Sequence, residues 1–244
     1  MFEWLLNLAD WHLLALNPPG WGGVLLKGLL ASLQIAAGGY ILGFLIGIAG
    51  ASGKLYGGPI IRDILEVYTT LVRAIPELVL ILLLFYAGTD AVNRLLGLGG
   101  FDPIDISGLV AGIFVIGVVQ GAYQTEVIRG AIKAIPHGEL EAARSYGMAS
   151  LTILRRITIP AMLPFAIPGL ANLWLIATKD TALLAVVGFS ELTLVTRQSA
   201  GATKAYFLFF FAAGILYLLV TFFSNIVIRR IEKRARRGMR EEAA

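Results

Sequence analysis

Tyr206–Ile228 reads YFLFFFAAGILYLLVTFFSNIVI, with no Asp, Glu, Lys or Arg, and runs straight into Arg229, Arg230, Ile231, Glu232, Lys233 and Arg234. A helix that crosses a bilayer needs about 20 mostly apolar residues, and a basic block behind it stays on the cytoplasmic side. Working outward, four more stretches qualify: Val24–Ala49, Ile64–Tyr86, Leu109–Ile128 and Ile167–Val187. They lack the alternation of barrel strands and are too long for them. The fold class expected is all-α, a polytopic membrane protein with about five transmembrane helices. Composition agrees, since 57% of the 244 residues are apolar and only 15% charged, against about 25% charged in a soluble domain. With a mean hydropathy of +0.79 the chain cannot cover a water-facing surface, and disorder is excluded by the same surplus.

The formal net charge of +4 reports orientation and not a nucleic-acid partner. Fourteen of the 20 Lys and Arg residues lie in one set of segments: Lys54 and Arg62; Arg129, Lys133, Arg144, Arg155 and Arg156; then Arg229, Arg230, Lys233, Arg234, Arg236, Arg237 and Arg240. The opposite set holds three, Arg94, Arg197 and Lys204, while Lys27, Arg73 and Lys179 lie in or beside spans. Five spans and this bias put the N-terminus outside and the C-terminus inside. The expected division is an external segment 1–21, a transmembrane unit 22–228 with a cytoplasmic loop at about 133–165, and a basic tail 229–244 beside anionic lipid. The start, Met1-Phe2-Glu3-Trp4, lacks the basic opening of a signal peptide. Phe2–Leu16 reads as an amphipathic helix on the outer surface. Trp4, Trp11, Trp21, Phe207, Phe209, Phe210 and Phe211 read as interfacial belts.

No cysteine is present and the two histidines, His12 and His137, are far apart, so thiolate and histidine-rich metal sites are not expected. Gly47–Leu55 has the look of a phosphate loop but carries Ile48 where a glycine is required and Leu55 where Ser or Thr would hold magnesium. It reads as a helix end with a cytoplasmic lysine. No HExxH or GxSxG pattern occurs, which leaves a membrane enzyme or a non-transporting scaffold as secondary readings. Gly39, Gly43 and Gly47, Gly108 and Gly112, and Gly117 and Gly121 repeat at four-residue spacing, a signal for close helix contact in lipid.

The loop after the third span reads His137-Gly138-Glu139-Leu140-Glu141-Ala142-Ala143-Arg144-Ser145-Tyr146-Gly147, then Ser150 to Pro160. A short helix from about Glu139 should close at Gly147, and Ser150 should cap a second helix that ends at Pro160 and Pro164. Glu141-Ala142-Ala143, Gly147, Ile157, Ile159 and Pro160 match the EAA motif of ABC importer permeases, departing only by Ile159 for Leu. Gly121-Ala122-Tyr123, Glu126, Arg129-Gly130, Lys179-Asp180-Thr181 and Tyr68–Glu77 resemble the polar amino acid subfamily. They are most similar to its histidine/lysine/arginine/ornithine and octopine/nopaline members. The resemblance covers Gly22 to the tail. It implies a type I ABC importer permease in a bacterial inner membrane that carries polar, and within them basic, amino acids or opines. It further implies a coupling helix at Glu141–Gly147 seated on one of two ATPase subunits. A second, related permease (or a second copy) and an extracytoplasmic solute-binding protein complete the assembly. ATP and Mg belong to the ATPase; no cofactor is expected in this chain.

Ionisable residues at membrane depth are costly and mark pathways or pairs. Arg73 and Glu77 in the second span, Glu126 in the third, and Lys179 and Asp180 in the fourth are the substrate-pathway candidates. Arg73 and Glu77, four apart, would share a helical face and could pair, with Pro76 loosening the backbone between them. Glu77 would meet a cationic side chain, and Arg73 or Lys179 a carboxylate. The alternative for each is a structural ion pair.

Overall fold

The computed structural model describes residues 8–102 and 107–236. Trp4, Arg237 and Arg240 lie outside the described residues, as does the first half of the expected Phe2–Leu16 helix. The described part of that segment is a 3-10 helix, Leu8–Leu14, and not an α-helix. Its end is tied down where the Trp21 amide donates to the Leu13 carbonyl at 2.6 Å.

Nine α-helices follow among the described residues: α1 Gly22–Tyr56, α2 Pro59–Ala74, α3 Glu77–Leu98, α4 Gly108–Lys133, α5 His137–Ser145, α6 Ser150–Ile153, α7 Ile159–Asp180, α8 Leu192–Thr203 and α9 Tyr206–Ala235. Five helical runs are long and apolar enough to cross a membrane: α1, α3, α4, the run Ser150–Val187, and α9. The number of spans is the expected one, but two of them differ. The second does not run from Ile64 to Tyr86. It begins at Glu77, because Ile75 and Pro76 are extended and proline disfavours helical backbone in the residue before it. The preceding α2 is a separate amphipathic helix, with Arg62, Asp63, Glu66 and Arg73 among its apolar residues. The fourth span is not confined to Ile167–Val187, since helical backbone is continuous from Ser150.

The centre of the fold is the α1–α4 contact, and glycines make it possible. A side chain at Gly39 would strike Ile116, one at Gly43 would come within 2.8 Å of the Gln120 Cβ, and one at Gly47 within 2.8 Å of the Gln124 Cβ. From the other side, Gly117 receives Leu42 and Gly121 receives Ile46. Two backbones thus approach with each small position filled by its neighbour's side chain, the packing that lipid-embedded helices use in place of a hydrophobic drive. Ile35, Ile81, Val115, Ile116 and Leu184 form the adjoining core.

A second knot joins α1, α8 and α9. Glu191 is fully buried and caps α8, accepting the amides of Thr193 and Leu194, each at 2.8 Å. Ser32 of α1 and Tyr217 of α9 donate to the same carboxylate at 3.2 and 3.3 Å. Glu191→Ala removes the cap from two amides and takes one partner from the Ser32 and Tyr217 hydroxyls, which keep Gly28 and Thr193; together this should cost about 3 kcal/mol. Thermal unfolding in detergent should register it, with Glu191→Gln, which keeps one acceptor oxygen, losing less. If the alanine variant melted like the parent, the cap would be dispensable.

Candidate functional site

The loop carrying the Glu-Ala-Ala run folds as expected in outline. α5 starts at His137 and closes through a Schellman turn: Met148 donates to the Ala143 carbonyl at 3.2 Å and Gly147 to Arg144 at 2.9 Å. Gly147 stands at φ +70°, a left-handed conformation open to glycine at little cost. Ala143 and Ile153 are buried where α5 meets α6, while Glu141, Ala142 and Ser145 are exposed. Tyr146, the residue that ends α5, is 88% exposed. Ile157 is half-buried and Pro160 exposed.

Two local expectations fail here. Ala149 holds the capping position and Ser150 is already helical, making no side-chain cap. Pro160 and Pro164 do not end the helix either. A π-turn, Leu154–Thr158, precedes Pro160, with the Ile159 amide reaching back to the Leu154 carbonyl. Proline has no amide to donate and clashes with the preceding turn. The widened turn lets the chain pass that point as one helical run.

Four of the five membrane charges fall into two places. Glu126 sits low on α4, half-buried, with Arg129 on one oxygen and the Lys54 ammonium 2.6 Å from the other. Arg73, Glu77 and Asp180 lie close enough to Tyr123 of α4 to act on it electrostatically. Arg73 and Glu77 do not lie on one helical face, since the Ile75–Pro76 break separates their helices, and no ion pair joins them among the described residues. The Glu77 carboxyl adjoins that of Asp180, and Gln120 donates to Asp180 at 3.5 Å. Gln120 is buried, and its own carbonyl oxygen has no partner. Lys179 is exposed and forms no ion pair with either carboxylate among the described residues.

Tyr68 ties α2 to α4 nearby, donating to the Val118 carbonyl at 2.6 Å. Burial pushes its phenol up to about 12, so it stays a donor. An apolar cavity of about 550 Å³ lies elsewhere, lined by Tyr40, Leu170, Trp174, Phe223 and Val227; it holds no charged side chain and does not suit a polar solute. Among the described residues no cluster of His, Cys, Asp or Glu is arranged to hold a metal.

Lys54, Gln120, Tyr123 and Glu191 are the positions that sequence reasoning left without a role. A lysine after an apolar run reads as a solvent boundary, and a glutamine inside one carries no pattern.

The exposed coupling-type loop on a five-span helical frame is matched by comparison with known proteins. Residues 39–237 match the family described as binding-protein-dependent transport system inner membrane component. The chain belongs to this family. It is 39% identical over 221 residues to the histidine/lysine/arginine/ornithine transport system permease protein HisQ of Escherichia coli K12, covering 91% of this chain and 97% of that one. It is 37% identical over 231 residues to the octopine permease OccQ of Rhizobium radiobacter, covering 93% and 97%. The nopaline permease NocQ of Agrobacterium fabrum is 40% identical over 235 residues, covering 96% and 100%. A crystal structure of an amino acid ABC transporter with histidines superposes with a TM-score of 0.74 at 27% identity, covering 88% of this chain and 95% of that one. The MetNI methionine transporter, facing inward, superposes at 0.68 with 20% identity, over 88% and 99%, and supports the fold alone. This member of the family is thus a membrane permease subunit with the type I ABC importer fold. It is a transport subunit, and hydrolysis belongs to a separate ATPase that works with it and with a binding protein.

Proposed function

We propose that this subunit admits basic amino acids or opines, with their cationic group held between Glu77 and Asp180. The observation that carries the reading is the adjacency of these two carboxyls at membrane depth with no ion-pair partner among the described residues. Like charges in a low-dielectric setting are stabilised by a cation, and an ammonium or guanidinium supplies one. Arg73 or Lys179 is available to the substrate carboxylate. The names of the relatives, which include basic amino acid and opine permeases, support the same class.

The coupling loop is about 133–165. Glu141, Ala142, Ala143 and Gly147 seat on an ATPase subunit, and Ile157 and Pro160 shape the support behind them. Two ATPase subunits serve two permeases, the second a related chain, and ATP with Mg acts only there. Residues 1–21 lie outside, 22–228 form the transmembrane unit, and 229–244 end inside, as the distribution of Lys and Arg supports.

Co-expression with the ATPase and binding protein, followed by reconstitution in vesicles, tests this. Arginine or octopine with binding protein should stimulate ATP hydrolysis, whereas glutamate should not. Stimulation by an acidic or apolar solute alone would sink the substrate class.

A further inference from the structure

Lys54 is the most deeply buried charge on α1, its side chain 3% exposed, yet neither the coupling loop nor the Glu77–Asp180 pair uses it. A buried ammonium is costly unless each of its donors is matched. Three acceptors surround it: Glu66 Oε2, Glu126 Oε1 at 2.6 Å, and Thr69 Oγ1 at 2.9 Å. Glu66 and Thr69 belong to α2 and Glu126 to α4. One side chain from α1 therefore fastens two other helices.

The two helices it joins lead in opposite directions. α4 continues from Glu126 and Arg129, which are themselves paired, to Lys133 and on into α5. α2 runs from Glu66 and Thr69 to Arg73 and the Ile75–Pro76 break that opens onto Glu77. Besides the lysine, α2 meets α4 through apolar contacts such as Val72 with Val119 and the Tyr68 hydrogen bond. The Tyr68 hydrogen bond pins one point of this contact; the fully matched ammonium supplies a second, and two points fix register.

We propose that Lys54 is a positioning residue for transport, fastening α2 to α4 so that movement of the coupling helix α5 is delivered to Arg73 and Glu77. This rests on the functional reading above. Coupling over such a distance needs elements that move as one body, and the lysine supplies the joint between them.

The test uses the complete assembly in proteoliposomes, measuring solute taken up per ATP hydrolysed together with basal hydrolysis. Glu66→Leu with Thr69→Val removes both acceptors on α2 and leaves the Lys54–Glu126–Arg129 cluster intact. Basal hydrolysis should persist while uptake per ATP falls about tenfold, a loss of the size that mutations in a coupling network produce. Lys54→Met should do the same, and Lys54→Arg, which keeps charge and donors, should restore most of it. Wild-type uptake per ATP in the double variant overturns the proposal. So does a parallel fall of uptake and hydrolysis with less assembled complex, the mark of a merely structural tie. A wild-type assembly without solute-stimulated hydrolysis would instead overturn the functional reading, and this inference with it.

Discussion

Gly147→Asp is expected to leave the chain inserted and assembled while separating ATP hydrolysis from uptake. The glycine stands at φ +70° with no atom within 4 Å of where a Cβ would be, so substitution strains the backbone without disturbing packing. Aspartate, like asparagine, enters the left-handed region more readily than other side chains, though at some cost over glycine. A negative charge just past the end of α5 also opposes the helix dipole. Both act on the turn that holds α5 rigid, where Gly147 and Met148 donate back to Arg144 and Ala143. Glu141→Lys changes only an exposed side chain on the same helix and should act through the docked face alone. Uptake in vesicles is expected to fall at least about tenfold for either variant, a loss of 1.4 kcal/mol or more. Gly147→Asn, which tolerates the left-handed region and adds no charge, should keep most activity. Normal uptake by the aspartate variant would remove α5 from the coupling path.

The parts of this molecule that were legible from its residues are those set by transfer from water to lipid. Runs such as Tyr206–Ile228 declare themselves because each apolar side chain votes independently, and the Lys and Arg bias needs only counting. Glycines at 39, 43 and 47 announce close packing by their spacing, but nothing in that spacing says the partner is α4. Gly147 was readable as a helix end because positive φ excludes most other residues. The second span was misread for a definite reason: apolar residues of the amphipathic α2 merge with those of α3 into one hydropathy peak. Pro76 and its effect on Ile75 were the signal that the peak holds two helices. Pro160 misled in the other direction, since a π-turn absorbs a proline that pattern reading takes as a stop. Pairings such as Lys54 with Glu126, or Glu191 with Ser32 and Tyr217, depend on which helices meet. They are invisible along one chain, where a lysine at the end of an apolar run looks like any cytoplasmic boundary.

Glu77→Gln should cut uptake of arginine by about tenfold to a hundredfold, the loss of one charge-assisted hydrogen bond, and leave a neutral solute such as glutamine much less affected. The argument turns on charge and not on shape, because glutamine keeps the volume and one acceptor oxygen of the glutamate. Glu77 opens α3 directly after Pro76, so its backbone position survives the change. Its carboxyl adjoins Asp180, so removing one of two like charges relieves repulsion. A fall confined to cationic solutes, read as a rise in the half-saturating concentration with basal hydrolysis unchanged, is therefore a statement about recognition. Asp180→Asn should act in the same direction, and the two together should do little more than either alone if both grip one cation. Equal loss for arginine and glutamine would instead make Glu77 a structural carboxylate at the α2–α3 break and move the search for selectivity to the second permease.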